Sequence, residues 1–346
     1  MKARKKRGQG SEGGERGSGR RSSLQGGEGG ERGGFRVAGP GGEGGERGGP
    51  RLVGAGGEGG ERGYGLRGPG GEGGEAGVNT QYIFGFTEGA DTERAGEREI
   101  EQDATGRFAK RAGSYTALQN KTEFEYGLTN DLLFAFGSFL SYHRIRNVPE
   151  LDDRNQVNFD GLSTELKYRF LDRRTAPFGL AISAEPEWHR FSETGGRREN
   201  SYAVELKLYA DAELIPGRLF IAGNVLYEPE IAKVNEIEEE TGHFRRWERE
   251  STLGFSGAIS AALTDTVFIG AEVRHLTKYE GSFLNKEEGH ALFVGPTLSA
   301  RILPNAVLQA AYSVQVSGRA KDEPDRHLDL ANFERHQGRL RFVYEF

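Results

Sequence analysis

From Thr80 onward the chain is dominated by long segments in which apolar and polar side chains alternate residue by residue. A period of two belongs to a strand with two unlike faces, because successive side chains leave the backbone on opposite sides. In SYAVELKLYADAEL, starting at Ser201, one face carries Tyr202, Val204, Leu206, Leu208, Ala210, Ala212 and Leu214. The other carries Ala203, Glu205, Lys207, Tyr209, Asp211 and Glu213. After the turn IPG, Leu219, Ile221, Val225, Tyr227, Pro229 and Ile231 oppose Asn224, Glu228 and Glu230. The division recurs in Phe178, Leu180, Ile182, Pro186 and Trp188 against Ser183, Glu185, Glu187 and His189. Leu162, Leu166, Tyr168 and Phe170 likewise oppose Glu165, Lys167 and Arg169.

Twelve such segments fall near 97–111, 114–128, 131–146, 156–172, 176–191, 200–215, 218–233, 245–263, 266–279, 289–303, 305–320 and 335–346. Soluble strands usually run to about 5–6 residues. These are far longer, and their connections alternate between short turns, such as TND and LPN, and long polar loops, such as NVPELDDRN and KDEPDRHLDLAN. Aromatics gather toward the strand ends at Tyr142, Tyr168, Trp188, Tyr202, Trp247, Tyr279 and Tyr344. A soluble sandwich would bury the apolar faces against each other and expose the charged ones. Strand length, loop asymmetry and aromatic placement favour the membrane arrangement, with apolar faces outward. The expected fold is all-β, an antiparallel meander transmembrane β-barrel of about 12 strands over residues 79–346. An even strand number brings both ends of the barrel to one side, and closure leaves no edge unsatisfied in hydrocarbon. TQYIFGFTE, residues 80–88, is a thirteenth strand candidate: a luminal or periplasmic strand, or a replacement for 97–111.

With the apolar faces outward, the charged faces line the lumen. Glu123, Glu125, Glu165, Lys167, Arg169, Glu185, Glu187, Glu205, Lys207, Asp211, Glu228, Glu230, Glu272, Arg274, Arg301, Arg339 and Arg341 are the residues assigned there. Both signs are present, with acids in excess. Twelve strands lie between the small filled barrels and the open 16–18-stranded porins. A salt-bridged filled interior and a narrow channel selected by charge are therefore both open. AEPEW and YEPEI set Glu185, Glu187, Glu228 and Glu230 on the luminal side, two strands apart. Oxygen ligands of this kind suit Ca²⁺, but pairing with a luminal cation, Lys207 above all, is the more ordinary outcome, and no metal is assigned. Each proline removes a ladder donor and marks an interruption.

Catalysis finds little support. The chain contains no cysteine. Its seven histidines are scattered, and no P-loop, dinucleotide fingerprint or HExxH occurs. No enzyme activity and no cofactor are expected.

Residues 1–78 are of another kind. They hold 32 of the 54 glycines, with 14 Lys and Arg against 10 Asp and Glu, whereas the rest of the chain holds 32 against 42. GGEGGERGG begins at Gly26 and Gly41, GGEGGERG at Gly56 and GGEGGEAG at Gly70. Such sequence cannot bury enough apolar area to offset its ordering entropy, so 1–78 is expected to be disordered and low-complexity. Each repeat arginine sits beside a glutamate, which cancels the phosphate attraction of an RNA-binding arm, so no nucleic-acid partner is expected. MKARKKRGQG has a basic start with no apolar run after it. The expectation is a GC-rich tandem repeat translated in an arbitrary frame, with the native mature chain beginning near Gly77 to Gln81.

The last strand, RLRFVYEF, places Leu340, Phe342, Tyr344 and Phe346 on one face and ends on an aromatic residue. A long meander closing in this way resembles the Gram-negative outer-membrane barrels. FTEGADTERAGEREIE, TEFEYGLTNDL and the two EPE strands also resemble an uncharacterised family of proteobacterial outer-membrane barrels, over roughly 80–346. The resemblance implies a bacterial outer-membrane location and contacts with membrane lipid and lipopolysaccharide. It also implies that Leu340, Phe342, Tyr344 and Phe346 are read by the barrel-insertion machinery. The function expected is a narrow passive, porin-like channel of unspecified substrate. The alternative is a non-conducting structural or surface-interaction barrel, and the least favoured reading is a membrane hydrolase.

Overall fold

The structure, a computed structural model, describes residues 78–238, 242–323 and 325–346, with side chains described outside 235–245. Apart from Val78, the expectation of disorder over 1–78 falls outside the described residues.

Twelve antiparallel strands form one closed barrel. They are β1 (Arg98–Phe108), β2 (Ser114–Thr129), β3 (Leu132–Arg146), β4 (Arg154–Leu171), β5 (Gly179–Phe191) and β6 (Arg198–Ile215). The second half comprises β7 (Leu219–Glu238), β8 (Gly242–Ala262), β9 (Val267–Glu280), β10 (Lys286–Leu303), β11 (Ala306–Ala320) and β12 (His336–Glu345). Each pairs with its sequence neighbours, and β1 closes on β12 from Glu99↔Glu345 to Phe108↔His336. Closure pairs the strand edges that an open sheet would leave exposed.

The alternation seen in the sequence becomes an inside and an outside. Leu206 is 38% exposed on the outer face, whereas Lys167 is 3% exposed on the inner one. This inverts the pattern of a soluble protein, where charge faces out and apolar side chains face in. The outer apolar surface, from Leu118 and Phe124 around to Leu298 and Leu340, is exposed all the way round the wall. No helix among the described residues is long and apolar enough to cross a membrane.

Short connections at 130–131, 216–218 and 304–305 lie at one end, together with the start of β1 and the end of β12. The opposite end carries longer loops, including 147–153 and 321–335. The two EPE prolines interrupt the wall. Beside Pro186 the β4–β5 ladder skips from Ser163↔Glu187 to Leu166↔Ala184. Beside Pro229 the β6–β7 ladder skips from Ala203↔Glu230 to Leu206↔Tyr227.

One expectation is overturned. Thr80–Glu88 is not a strand, and it displaces nothing in the wall. It enters the lumen as a 3-10 turn over Thr80–Tyr82 followed by bends, and residues 80–93 are buried almost throughout. A single chain running inside a closed wall has no free strand edge to pair with, so side chains from the wall satisfy its backbone instead. Gly96, at φ +86°, turns the chain out of the lumen and into β1.

Candidate functional site

The inner segment is tied to nearly every part of the wall. Thr80 N donates to Asp91 Oδ2 at 2.9 Å within the segment, and Ala90 N donates to Asp211 Oδ2 of β6 at 2.9 Å. Phe86 N and Thr87 N both donate to Glu272 Oε2 of β9, at 2.8 and 3.1 Å. Asn224 of β7 clasps Glu88 from both sides: it accepts from Glu88 N and donates to Glu88 O, each at 2.8 Å. Ser260 of β8 donates to Ile83 O at 2.7 Å, and Gln309 of β11 donates to Phe84 O. Gly85 runs so close to the wall that an added Cβ would lie within 3 Å of Thr297, Glu272 and Ala311 side chains.

Two kinds of anchor hold this segment. The first is apolar. Ile83 and Phe84 pack with Phe220, Ala222, Ala258 and Phe268 in a small core inside a charged lumen. The second is ionic. Asp91 meets Arg173 at 2.5 Å and Arg169 at 3.3 Å. Glu88 meets Arg341 at 2.6 Å, Lys207 at 3.0 Å and Arg339 at 3.1 Å. The Arg274 guanidinium lies 3.6 Å from the Phe86 ring centroid, the geometry of a cation–π contact. Glu88 and Glu93 both lie on the inner segment rather than on a wall strand, and their environments push them apart. Burial would raise the Glu88 carboxyl, but Lys207 and Arg341 hold it down at about 2. Burial pushes the Glu93 carboxyl up to about 7.

Toward the long-loop end the segment forms the floor of a cavity of about 580 Å³, with Gln81, Phe86 and Glu88 facing it. Its rim includes Glu193 and Thr194 of the β5–β6 loop and Phe333 and Glu334 of the β11–β12 loop. Sixteen Asp and Glu line it against nine Lys and Arg. A second cavity of about 50 Å³, lined by Asn79, Tyr82, Ile83 and Arg301 among others, touches the other side of the segment.

Thirteen of the seventeen charged residues singled out from the sequence line the large cavity: Glu123, Glu125, Glu165, Lys167, Glu185, Glu187, Glu205, Lys207, Glu228, Glu230, Arg274, Arg339 and Arg341. Arg169, Asp211 and Glu272 hold the inner segment instead, and Arg301 lines the smaller cavity. The pairing expected for the EPE carboxylates is different in detail. Lys207 turns to Glu88 and, at 3.9 Å, to Glu205. Glu185 is paired by Lys121 at 2.5 Å, and Glu187 by His189 at 2.8 Å. Lys207 has a nearer partner because the inner segment brings Glu88 to it, which alternation along the wall strands does not reveal. Leu340, Phe342, Tyr344 and Phe346 are exposed on the outer face, and the Phe346 ring lies 6.3 Å from Phe124 across the closing seam.

Sequence reasoning missed Phe84, Glu88, Asp91 and Glu93. The signal was present but weak: FGFTEGADTE breaks the alternation and mixes aromatics, small residues and three acids just before the first strand.

Residues 77–346 match the model of DUF6662, a family of unknown function. The chain belongs to this family. No curated protein matches its sequence. This DUF6662 chain is similar in structure to an outer membrane channel from Pseudomonas putida F1, at 12% identity and a TM-score of 0.50, over 74% of this chain and 98% of that one. It is also similar to the beta domain of the Bordetella autotransporter BrkA, at 10% identity and a TM-score of 0.47, over 72% and 100% of the two chains. The NanC porin matches at 13% identity and a TM-score of 0.40, over 72% and 100%. At these identities the likeness is one of fold.

Proposed function

We propose that this protein is an outer-membrane barrel that takes small cationic solutes into an acidic vestibule and passes them through a lumen narrowed by its inner segment. The observation that carries the reading is the acid excess of the cavity lining, sixteen carboxylates against nine basic side chains. Charge of one sign focused in a low-dielectric cleft concentrates counter-ions and sets selectivity. Glu228 and Glu230 line this cavity and have no ion-pair partner among the described residues, so they are the acids on which the test below is placed.

The membrane placement rests on the exposed apolar outer face. On this reading that face meets lipid and lipopolysaccharide, and the outer residues of β12 are what the insertion machinery reads. Leu206→Arg, at the middle of β6, is expected to cost about 2–4 kcal/mol of barrel stability in a bilayer. Urea unfolding in lipid vesicles measures it. A cost near zero would remove Leu206 from the hydrocarbon.

For the vestibule, the full chain is placed in a planar bilayer under a KCl gradient. Small conductance steps with a reversal potential on the cation side are expected, and Glu228→Gln with Glu230→Gln is expected to move that potential toward zero. The inner segment favours one second reading, a barrel that conducts nothing and presents its loops to the medium. An absence of steps at either polarity selects it.

A further inference from the structure

Most luminal acids have a basic partner, and of those that do not, three lie together. Glu93 of the inner segment, Glu99 of β1 and Glu125 of β2 are all buried, and each offers a carboxylate oxygen within 4.8 Å of the others. Barrel register puts Glu99 directly opposite Glu125 on one side and Glu345 on the other. Like charges directly opposite in a ladder repel. The adjacent row shows how the wall normally answers this. There Glu101 faces Glu123, and Arg341 and Lys121 supply the counter-charge at 2.8 and 2.9 Å. Among the described residues, no Lys or Arg nitrogen forms an ion pair with Glu93, Glu99 or Glu125.

A second observation points the same way. Gln81 is 5% exposed, and its Oε1 has no hydrogen-bond partner. Its Nε2 donates to Glu125 Oε2 at 3.3 Å and to Tyr82 OH at 2.9 Å, which fixes the amide beside the cluster, and Tyr82 OH in turn donates to Glu93 and Glu99. Glu93 Oε2 is likewise buried without a partner. Burying an amide or carboxylate oxygen without a partner is costly.

We infer that Glu93, Glu99 and Glu125, with Gln81 Oε1, form a binding site for a divalent cation of the Ca²⁺ type. The donors are all oxygen, which selects hard cations, and Ca²⁺ tolerates the irregular geometry that carboxylates from three separate segments provide. Glu93 belongs to the inner segment and the other two to the wall, so the ion pins one to the other. The site does not depend on whether the barrel conducts.

The test uses the full chain folded in detergent, with CaCl2 as the probe in calorimetry and in thermal melting against EGTA. One tight ion per chain is expected above the weak binding of the vestibule acids, with a higher Tm in CaCl2. Glu99→Gln with Glu125→Gln is expected to weaken that tight binding by more than about tenfold and to abolish the CaCl2 effect on Tm. Glu93→Gln lies off the wall, so it serves as the second variant if the double one fails to fold, and the same loss is expected of it. No calcium uptake by the unaltered chain at neutral pH overturns the site and assigns the neutralisation to protons. Uptake that survives both sets of substitutions overturns it equally, because the ion is then held elsewhere.

Discussion

Phe84→Ala is expected to leave the wall closed and to loosen the inner segment by about 3–5 kcal/mol, the usual cost of emptying a buried phenylalanine site. Phe84 is 0% exposed and is the centre of the apolar cluster formed with Ile83, Phe220 and Phe268. The wall around this cluster is closed by strand ladders, so it cannot collapse far into the space left behind, and the larger end of the range applies. The ring does not contribute to the β1–β12 seam, which is held by a continuous ladder. Two measurements separate these parts. Limited proteolysis of the folded protein should cut within 78–97 far faster in the variant, while heat-modifiability on gels stays that of a closed barrel. On the channel reading, conductance rises as well. Unchanged proteolysis would mean that the polar clasps at Asn224, Glu272 and Asp211 hold the segment without the apolar core.

Arg341→Met should destabilise the whole barrel by about 3–5 kcal/mol, the range for removing one partner of a buried ion pair. Its guanidinium meets Glu88 at 2.6 Å, Glu101 at 2.8 Å and Asp103 at 3.2 Å. Glu88 keeps Lys207 and Arg339, and Asp103 keeps Arg339 at 2.5 Å. Glu101 has no other ion-pair partner among the described residues, so it bears most of the loss. Adding Glu101→Gln to Arg341→Met is therefore expected to restore a large part of the stability, a coupling that a double-mutant cycle reads directly. Lysine at this position should fall between the two, because one ammonium cannot span three carboxylates as a planar guanidinium does. Urea midpoints in detergent give the four values. An additive cycle would show that Glu101 does not depend on Arg341.

Most of the wall was legible in the sequence. The strands expected near 114–128, 200–215 and 305–320 lie within a residue or two of β2, β6 and β11. The assignment of faces followed as well, since Leu206 and Lys207 are neighbours in sequence and point to opposite sides whatever the rest of the barrel does. The partners of those inner charges were not legible. Lys121 reaches Glu185 on β5, three strands away along the wall, through the interior rather than along a ladder. Such a contact depends on the width of the lumen and on what fills it.

By itself, the sequence determined the twelve long alternating segments, the inside and outside of each and the acid excess of the interior. These follow from a two-residue period that every strand expresses locally. Only the tertiary structure decided that Thr80–Glu93 folds into the lumen, that Glu88 draws Lys207, Arg339 and Arg341 together, and that Glu93 meets Glu99 and Glu125. Those meetings join residues from opposite sides of a closed ring, and they exist only once β1 has paired with β12 and the inner segment has found its place. Side-chain direction is local, whereas the occupancy of an enclosed space belongs to the whole barrel.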